Sequence, residues 1–340
     1  MVHRLEEAFA RKYRVKHAIA LCNGTATLHS ILMAGTQGKS KVMVPALTMA
    51  STALAVLHAG LEPEWVDVSA DTWVVTHAGI QRGMRVYPRA IITVALYGLR
   101  PEMTGIRKLA TDNHLLLIED NAQCFGGYEM VGDAASFSFQ SSKHLTCGEG
   151  GIIITNDDAL ATAIREVSCL GYRSGFTKEQ IQSPAYERHH RLGWNYRMSD
   201  LQAAVALAQV ERMDELVDKR RKCAKDFFEA FDGEILKGQG GGYNPDHAYW
   251  SAAATLDTKR ISWQEFRALF LANGGDPFYA CWRPAYQEPV FDGYSANCPI
   301  ADRLQPTIVA LKTNYYGGES KQQAEILKKT ILQASRGARS

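Results

Sequence analysis

Leu115-Leu116-Leu117-Ile118-Glu119-Asp120-Asn121-Ala122-Gln123 is the stretch from which the fold is read. Four apolar residues in succession run directly into two acids. A strand that is apolar on consecutive residues is covered on both faces, which is the habit of parallel sheets. In open α/β sheets, ligands bind beyond the carboxyl ends of the strands. Glu119 and Asp120 therefore stand where chemistry is expected. A carboxylate there can pair with a protonated ring nitrogen or hold a metal, and it can equally cap the next helix. The motif by itself does not choose between these.

Outward from this strand the pattern repeats. Ala18–Leu21, Lys41–Val44, Trp65–Val68, Ala90–Ala95, Ala134–Phe139 and Gly151–Thr155 are further short β-rich runs, and the gaps between them can hold crossover helices. The expected class is α/β with a mostly parallel sheet. The start reads as an amphipathic helix with Leu5, Phe9 and Tyr13 on one face. A long helix is expected after Ser199, opened by an S-x-x-Q capping box with Gln202 and striped by Val210, Met213, Leu216 and Val217. Charges crowd its far end at Asp218–Lys222. The glycine-rich stretch Lys237–Pro245 then reads as a hinge into a smaller lobe, with helices near Trp263–Ala272 and Ser320–Leu332. The division expected is a large domain over 1–236 and a small one over 237–340.

Composition narrows the function classes. Of 340 residues, 46% are hydrophobic and 22% charged, ordinary values for a globular chain with a large core. A net charge of +2, with the cations scattered, gives no footprint for nucleic acid. No apolar run approaches the roughly 20 residues of a membrane span, and Met1–Arg14 has no apolar stretch of a secretory signal. The seven cysteines, Cys22, Cys124, Cys147, Cys169, Cys223, Cys281 and Cys298, form no CxxC pair. That argues against a disulfide framework or a metal site and for a reducing cytoplasm.

Two more segments carry chemistry. Ser136-Phe137-Ser138-Phe139-Gln140-Ser141-Ser142-Lys143, followed by Thr146-Cys147-Gly148-Glu149-Gly150-Gly151, takes a strand into a hydroxyl-rich turn, one lysine and a glycine run. Hydroxyls and turn amides suit a phosphate, and a lysine in a dry pocket becomes a nucleophile. The plain alternative is a surface lysine beside a glycine turn. Cys22-Asn23-Gly24-Thr25-Ala26-Thr27-Leu28 turns a strand into a helix and offers free amides to an anion, though many crossovers have such a turn without a ligand.

In this order the set resembles the DegT/DnrJ/EryC1/StrS sugar aminotransferase family, pyridoxal-phosphate (PLP) enzymes of the type I, aspartate-aminotransferase fold. The likeness runs from Leu5 to Asp218 and more loosely to the end. It takes in the Asn23-Gly24-Thr25 turn, Val44–Thr48, Leu96-Tyr97-Gly98, Glu119–Gln123, Ser138–Lys143, Gly148–Gly151 and Gly193-Trp194-Asn195-Tyr196-Arg197-Met198-Ser199. What it implies is an aminotransferase moving an amino group from an amino acid, L-glutamate, to a keto sugar on a nucleotide. Lys143 would be the Schiff-base lysine and proton shuttle. Asp120 would pair with the pyridine nitrogen, and Gln123 with the phenolic oxygen. Gly24, Thr25 and Ser138 would hold the phosphate. Asn195 would reach the phosphate of a neighbouring subunit, so that the site is shared within a homodimer.

The chain departs from the family pattern in places. Met49 stands where relatives commonly stack an aromatic on the cofactor ring, and a thioether still packs on a ring face. Relatives usually carry a further stretch before the segment matching Leu5. Sister enzymes that dehydrate the sugar have histidine in place of the lysine; here Lys143 precedes His144, so amination is expected. Trp282, Arg283 and Tyr286, with Asn273–Asp276 and Tyr286–Pro289, are similar to perosamine-synthase-like members that aminate carbon 4 of a GDP-linked 4-keto-6-deoxy sugar. Arg188-His189-His190-Arg191 reads as a solvated basic loop rather than a diphosphate contact, and His29 as structural. The competing readings are a PLP-dependent sugar dehydratase, a cyclitol aminotransferase and a non-catalytic PLP-binding regulator.

Overall fold

The computed structural model describes residues 1–36, 38–173, 177–294 and 296–337. Its strands are β1 (His17–Leu21), β2 (Lys41–Pro45), β3 (Glu62–Val66), β4 (Ala90–Val94), β5 (Leu116–Asp120), β6 (Ala134–Ser138), β7 (Gly151–Thr155), β8 (Leu236–Gly238), β9 (Ser251–Leu256), β10 (Tyr279–Ala280) and β11 (Ile308–Lys312). The α-helices are α1 (Val2–Tyr13), α2 (Gly24–Gly35), α3 (Ala50–His58), α4 (His77–Gly83), α5 (Met103–Asp112), α6 (Asp158–Ser168), α7 (Lys178–Gln182), α8 (Asp200–Glu211), α9 (Met213–Phe228), α10 (Trp263–Ala272), α11 (Pro299–Leu304) and α12 (Glu319–Gly337).

The first seven strands form one sheet in the order β1-β7-β6-β5-β4-β2-β3. The pairs from β3 through β6 are parallel, while β7 runs antiparallel to both β6 and β1. The carboxyl ends of β1, β2, β4, β5 and β6 thus open on one edge, which is the expected α/β arrangement. The four remaining strands make a second, antiparallel sheet in the order β10-β11-β9-β8.

The sequence expectations hold at the level of elements and shift at their ends. The strand expected over Trp65–Val68 lies instead at Glu62–Val66. β3 takes in Pro63, and as an edge strand it tolerates the missing N–H. The long helix after Ser199 is two helices. Its capping box is present, Ser199 accepting from Gln202 N and the Gln202 side chain reaching back. At Arg212 the backbone leaves helical geometry (φ −106°, ψ 14°). Both sides of the break pack under α1: Ala203, Ala206, Leu207 and Val210 of α8 and Met213 and Val217 of α9 share a cluster with Leu5, Phe9 and Tyr13. Only farther along α9 do Ala224 and Phe227 join the core of the second sheet.

The glycine stretch after Leu236 is tied down on the first sheet's side. Gln239 donates through Nε2 to Thr72 O (2.8 Å) and Leu96 O (3.2 Å), and Gly240 N donates to Asp71 O at 2.9 Å. Among the described residues no helix is long and apolar enough to cross a membrane.

Candidate functional site

At the open edge of the first sheet lies a cavity of about 360 Å³. Gly24, Thr25, Met49, Thr52, Asp120, Gln123, Ser138, Ser142, Lys143, Trp250 and Trp282 all line it. Seven of the eight residues singled out above as binding or catalytic candidates are therefore in one place. The eighth, Asn195, is not. It is exposed, and its backbone bridges Cys169.

The two acids at the end of β5 separate as alternation in a strand requires. Glu119 turns away from the cavity and pairs with Arg100 at 2.9 Å, while its other oxygen accepts from Val131 N and Gly132 N at 2.7 Å each. It is a structural carboxylate. Asp120 faces the cavity. Its Oδ2 accepts from the Thr52 hydroxyl at 2.8 Å and its Oδ1 from Ala122 N at 3.1 Å. Burial raises its pKa; the two hydrogen bonds and the charge on Lys143 pull the other way. A buried carboxylate held this way is stabilised by any cation that enters the cavity beside it.

Gln123 is oriented by its neighbours. Tyr97 N donates to Gln123 Oε1 at 2.6 Å, which leaves the amide NH₂ as a donor. Tyr97 adopts a left-handed conformation (φ 57°) to do this, a backbone state that a bulky residue holds only where its surroundings enforce it. The Tyr97 ring lies parallel to those of Trp250 and Trp282, each 6.2 Å away, and the two indoles wall the cavity.

Lys143 sits on the connection between β6 and β7. Burial drives its pKa down to about 8, and the charge on Arg220 pushes in the same direction, against Asp120 and Glu149. The amine thus gives up its proton far more readily than a free lysine, so that an uncharged fraction is present near neutrality, as a lysine nucleophile requires. Its Nζ stands 4.7 Å from the Trp250 ring centre.

The opposite end of the cavity is built for an anion. Asn23 caps α2, its Oδ1 accepting from Ala26 N at 2.8 Å. Gly24 is the first helical residue, and a Cβ there would stand 2.9 Å from Ser138 Cβ. The absent side chain lets the helix N-terminus close on the end of β6, with the Ser138 hydroxyl beside it. Helix amides and hydroxyls without a bulky side chain between them form a phosphate cradle. Met49, at the start of α3, is half exposed on the rim.

Other sequence candidates fall elsewhere. Of the small-lobe trio only Trp282 lines the cavity. Tyr286 packs on Trp65 and hydrogen-bonds Asp302. His190 and Arg191 pair with Glu166 at 3.3 and 3.6 Å, and His189 meets Leu170 O. His29 is buried, with Nδ1 3.0 Å from the Tyr196 hydroxyl, which is a structural role. His144 meets Ala248 O through Nε2, and burial holds its pKa well below the usual range.

The sequence reading missed Arg220 and Trp250. Trp250 Nε1 donates to Ser142 O at 2.9 Å, and Arg220 donates to Ser142 O and Lys143 O at 3.1 and 2.9 Å. A signal for Arg220 exists in the sequence. Met213, Val217, Arg220, Ala224 and Phe227 are spaced on one helical stripe, and all five are buried.

Comparison with known proteins gives this site a context. The model of the DegT/DnrJ/EryC1/StrS aminotransferase family matches residues 1–329. A GDP-perosamine synthase of Escherichia coli O157:H7 is 30% identical over 315 residues, 89% of this chain and 82% of that protein. One from Vibrio cholerae is 27% identical over 301 residues, covering 86% and 79%. The crystal structure of an aminotransferase from Psychrobacter cryohalolentis superposes with a TM-score of 0.91 at 25% identity, over 98% of this chain and 92% of that one. The chain belongs to the DegT/DnrJ/EryC1/StrS aminotransferase family. It is an enzyme of the type I fold, an aminotransferase whose cofactor is pyridoxal phosphate. The cavity fits that cofactor: an anion cradle at one end, a buried carboxylate, an oriented amide donor and a lysine of lowered pKa.

Proposed function

We propose that this enzyme aminates a keto sugar carried on a nucleotide, with L-glutamate as the amino donor. GDP-4-keto-6-deoxymannose, aminated at carbon 4, is the acceptor that its two perosamine-synthase relatives favour. The reading rests on one observation above all: Lys143, Asp120, Gln123, Ser138 and Gly24 line a single cavity at the strand ends.

When bound, pyridoxal phosphate supplies a carbonyl that an amine can join and a ring that draws electrons. The chain supplies the rest. Lys143 Nζ holds the cofactor and afterwards carries the proton to and from the substrate carbon; its lowered pKa leaves the amine free to accept it. Asp120, fixed by Thr52 and Ala122, keeps a proton on the ring nitrogen. The Gln123 amide donates to the phenolic oxygen. Gly24, Thr25 and Ser138 would hold the phosphate, and Met49 would pack on the ring face. Trp250 and Trp282 keep water from the reacting face.

Asn195 acts on the phosphate bound by the partner subunit of a homodimer. Its exposure on its own chain supports this, as do Leu201 and Val205, apolar and exposed one turn apart on α8 nearby. A division into a large domain, 1–236, and a small one, 237–340, is supported by the presence of two sheets, with β8 (Leu236–Gly238) of the second sheet lying across the boundary. The enzyme works in the cytoplasm, where nucleotide sugars and reduced thiols coexist; the seven cysteines are free. Sugar dehydration is the second reading, disfavoured by a lysine at position 143.

Borohydride treatment of the yellow holoenzyme followed by peptide mapping tests the assignment. The reduced adduct is expected on Lys143, and glutamate alone should convert the bound cofactor to its amino form. An adduct on another lysine refutes the role given to Lys143. Absence of amination with every nucleotide-linked keto sugar, after a normal glutamate half-reaction, refutes the acceptor class.

A further inference from the structure

Among the described residues, Arg220 is the one strongly buried guanidinium whose partners are all neutral oxygens. Nη1 donates to Trp250 O at 3.1 Å and Thr313 Oγ1 at 3.3 Å, and Nη2 donates to Ser142 O at 3.1 Å and Lys143 O at 2.9 Å. It is 8% exposed, and among the described residues no carboxylate lies within ion-pair distance of it. Burial lowers its pKa to about 10, so the charge persists at neutral pH at the expense of desolvation. A methionine or leucine would satisfy the apolar stripe of α9 at no such cost.

The geometry says what the charge is kept for. Trp250 leads into β9 and Thr313 follows β11, both of the second sheet, whereas Ser142 and Lys143 belong to the β6–β7 connection of the first. A planar fork with two donor arms spans that joint, one arm on each side. Trp250 Nε1 adds a second donor to Ser142 O from the same side. We infer that Arg220 is a positioning residue for Lys143: it fastens the main chain of the lysine to the second sheet and sets a permanent positive charge beside the amine. The inference rests on the proposed role of Lys143 and deepens it.

The surroundings of Lys143 make the consequence specific. Asp120 from the end of β5 and Glu149 from the glycine run favour the ammonium form. Burial and Arg220 from α9 oppose it. The Trp250 ring from β9 attracts a cation, and neighbouring His144 is neutral by burial. Arg220 is thus the fixed positive charge that offsets two carboxylates facing the nucleophile. A lysine in its place would keep the charge and lose the fork; a methionine would lose both.

The test uses the full chain freed of cofactor, so that it does not depend on turnover. Competitive acetylation with acetic anhydride from pH 6 to 11, followed by peptide mass analysis, reads the proton affinity of Lys143 directly. Deuterium exchange over residues 140–146 reads how firmly the loop is held. In the unaltered chain Lys143 is expected to be half-labelled near pH 8. In Arg220→Met its proton affinity rises on the order of tenfold, the effect of removing a neighbouring like charge, and exchange over 140–146 accelerates. In Arg220→Lys the labelling midpoint stays low while exchange still accelerates. A merely structural residue would not separate these two readouts. A folded Arg220→Met with unchanged labelling and exchange overturns the inference. If Arg220→Met does not fold, unaltered exchange in Arg220→Lys overturns it alone. Borohydride mapping to Lys143, alongside either failure, leaves the role of the lysine standing and removes only that of Arg220.

Discussion

Replacing Lys143 with methionine should make the cofactor-free protein more stable, and by an amount that depends on pH. In the fold the ammonium is nearly buried, and its pKa falls from 10.5 to about 8. At about 1.36 kcal/mol per pKa unit this represents about 3 kcal/mol. The sign follows from proton linkage. Between the two values the unfolded chain binds the proton and the folded chain does not, so stability rises with pH through that window. Below pH 8 the folded state carries the full penalty of a buried charge; above pH 10.5 it carries none. Methionine has similar volume and no charge, so Lys143→Met escapes the penalty throughout. Discounted for residual solvent access, the variant should exceed the parent by about 2 kcal/mol at pH 7. Most of this advantage should vanish at pH 10. Denaturant melts of both apoproteins at pH 7, 8, 9 and 10 measure it. The difference between the proteins cancels every other titrating group to first order. An advantage that stays constant from pH 7 to 10 would falsify the assignment of a depressed pKa to Lys143.

Asp120→Asn should fold, because the amide oxygen still accepts from Ala122 N while the Thr52 hydroxyl can turn to accept from the amide NH₂. It should lose at least about a hundredfold in kcat, the lower range for removing an acid–base group; near-normal turnover would mean that the carboxylate is structural. Gly24→Ala puts a methyl 2.9 Å from Ser138 Cβ, so cofactor affinity should fall with little change in the folded spectrum, as equilibrium dialysis of the phosphate-containing cofactor can show. Glu119→Gln should destabilise the chain by about 2 kcal/mol, because the half-buried Arg100 loses its carboxylate partner; a thermal midpoint equal to that of the parent contradicts this. Mixed chains of inactive Lys143→Ala and inactive Asn195→Ala should regain activity, since one site of each mixed dimer then has both residues intact. Demonstrated mixed dimers without activity would end the shared-site reading.

The sheet was legible because its strands are apolar on consecutive residues, and β7 (Gly151–Thr155) is bounded as its sequence suggests. The helix at Trp263–Ala272 was equally clear, because Ser262 and Glu265 form a capping box at its start. Less visible was anything decided by contact across the chain. The break at Arg212 is one such feature: Val210 before it and Met213 and Val217 after it lie in the same cluster, and no local propensity at Arg212-Met213 announces it. Asp120 and Glu119 are adjacent acids with opposite surroundings; a strand's alternation says that they part, but not which one meets the cavity. Trp250 reaches Ser142 across 108 residues, a proximity that follows from how the two sheets meet rather than from either segment. Arg220 was hidden by its neighbours. In a run of Lys219, Arg220, Arg221 and Lys222 the eye sees a solvated end, while helical phase puts only Arg220 on the stripe of Met213, Val217 and Ala224.

The docking of α1 has a consequence for how the chain is made. Leu5, Phe9 and Tyr13 lie in one cluster with Phe125, Phe137 and Phe139, and with Ala203, Ala206 and Leu207 of α8. The amino terminus itself bonds Asp200, and Lys12 pairs with Asp214. Once synthesised, α1 therefore has no complete seat until residues beyond 210 have followed it. At roughly 5–20 residues per second that is a wait of about ten to forty seconds. Throughout it an apolar stripe is exposed on an amphipathic segment too short to be a stable helix alone. Chaperone capture of nascent chains should accordingly engage α1 and cease once α8 has emerged.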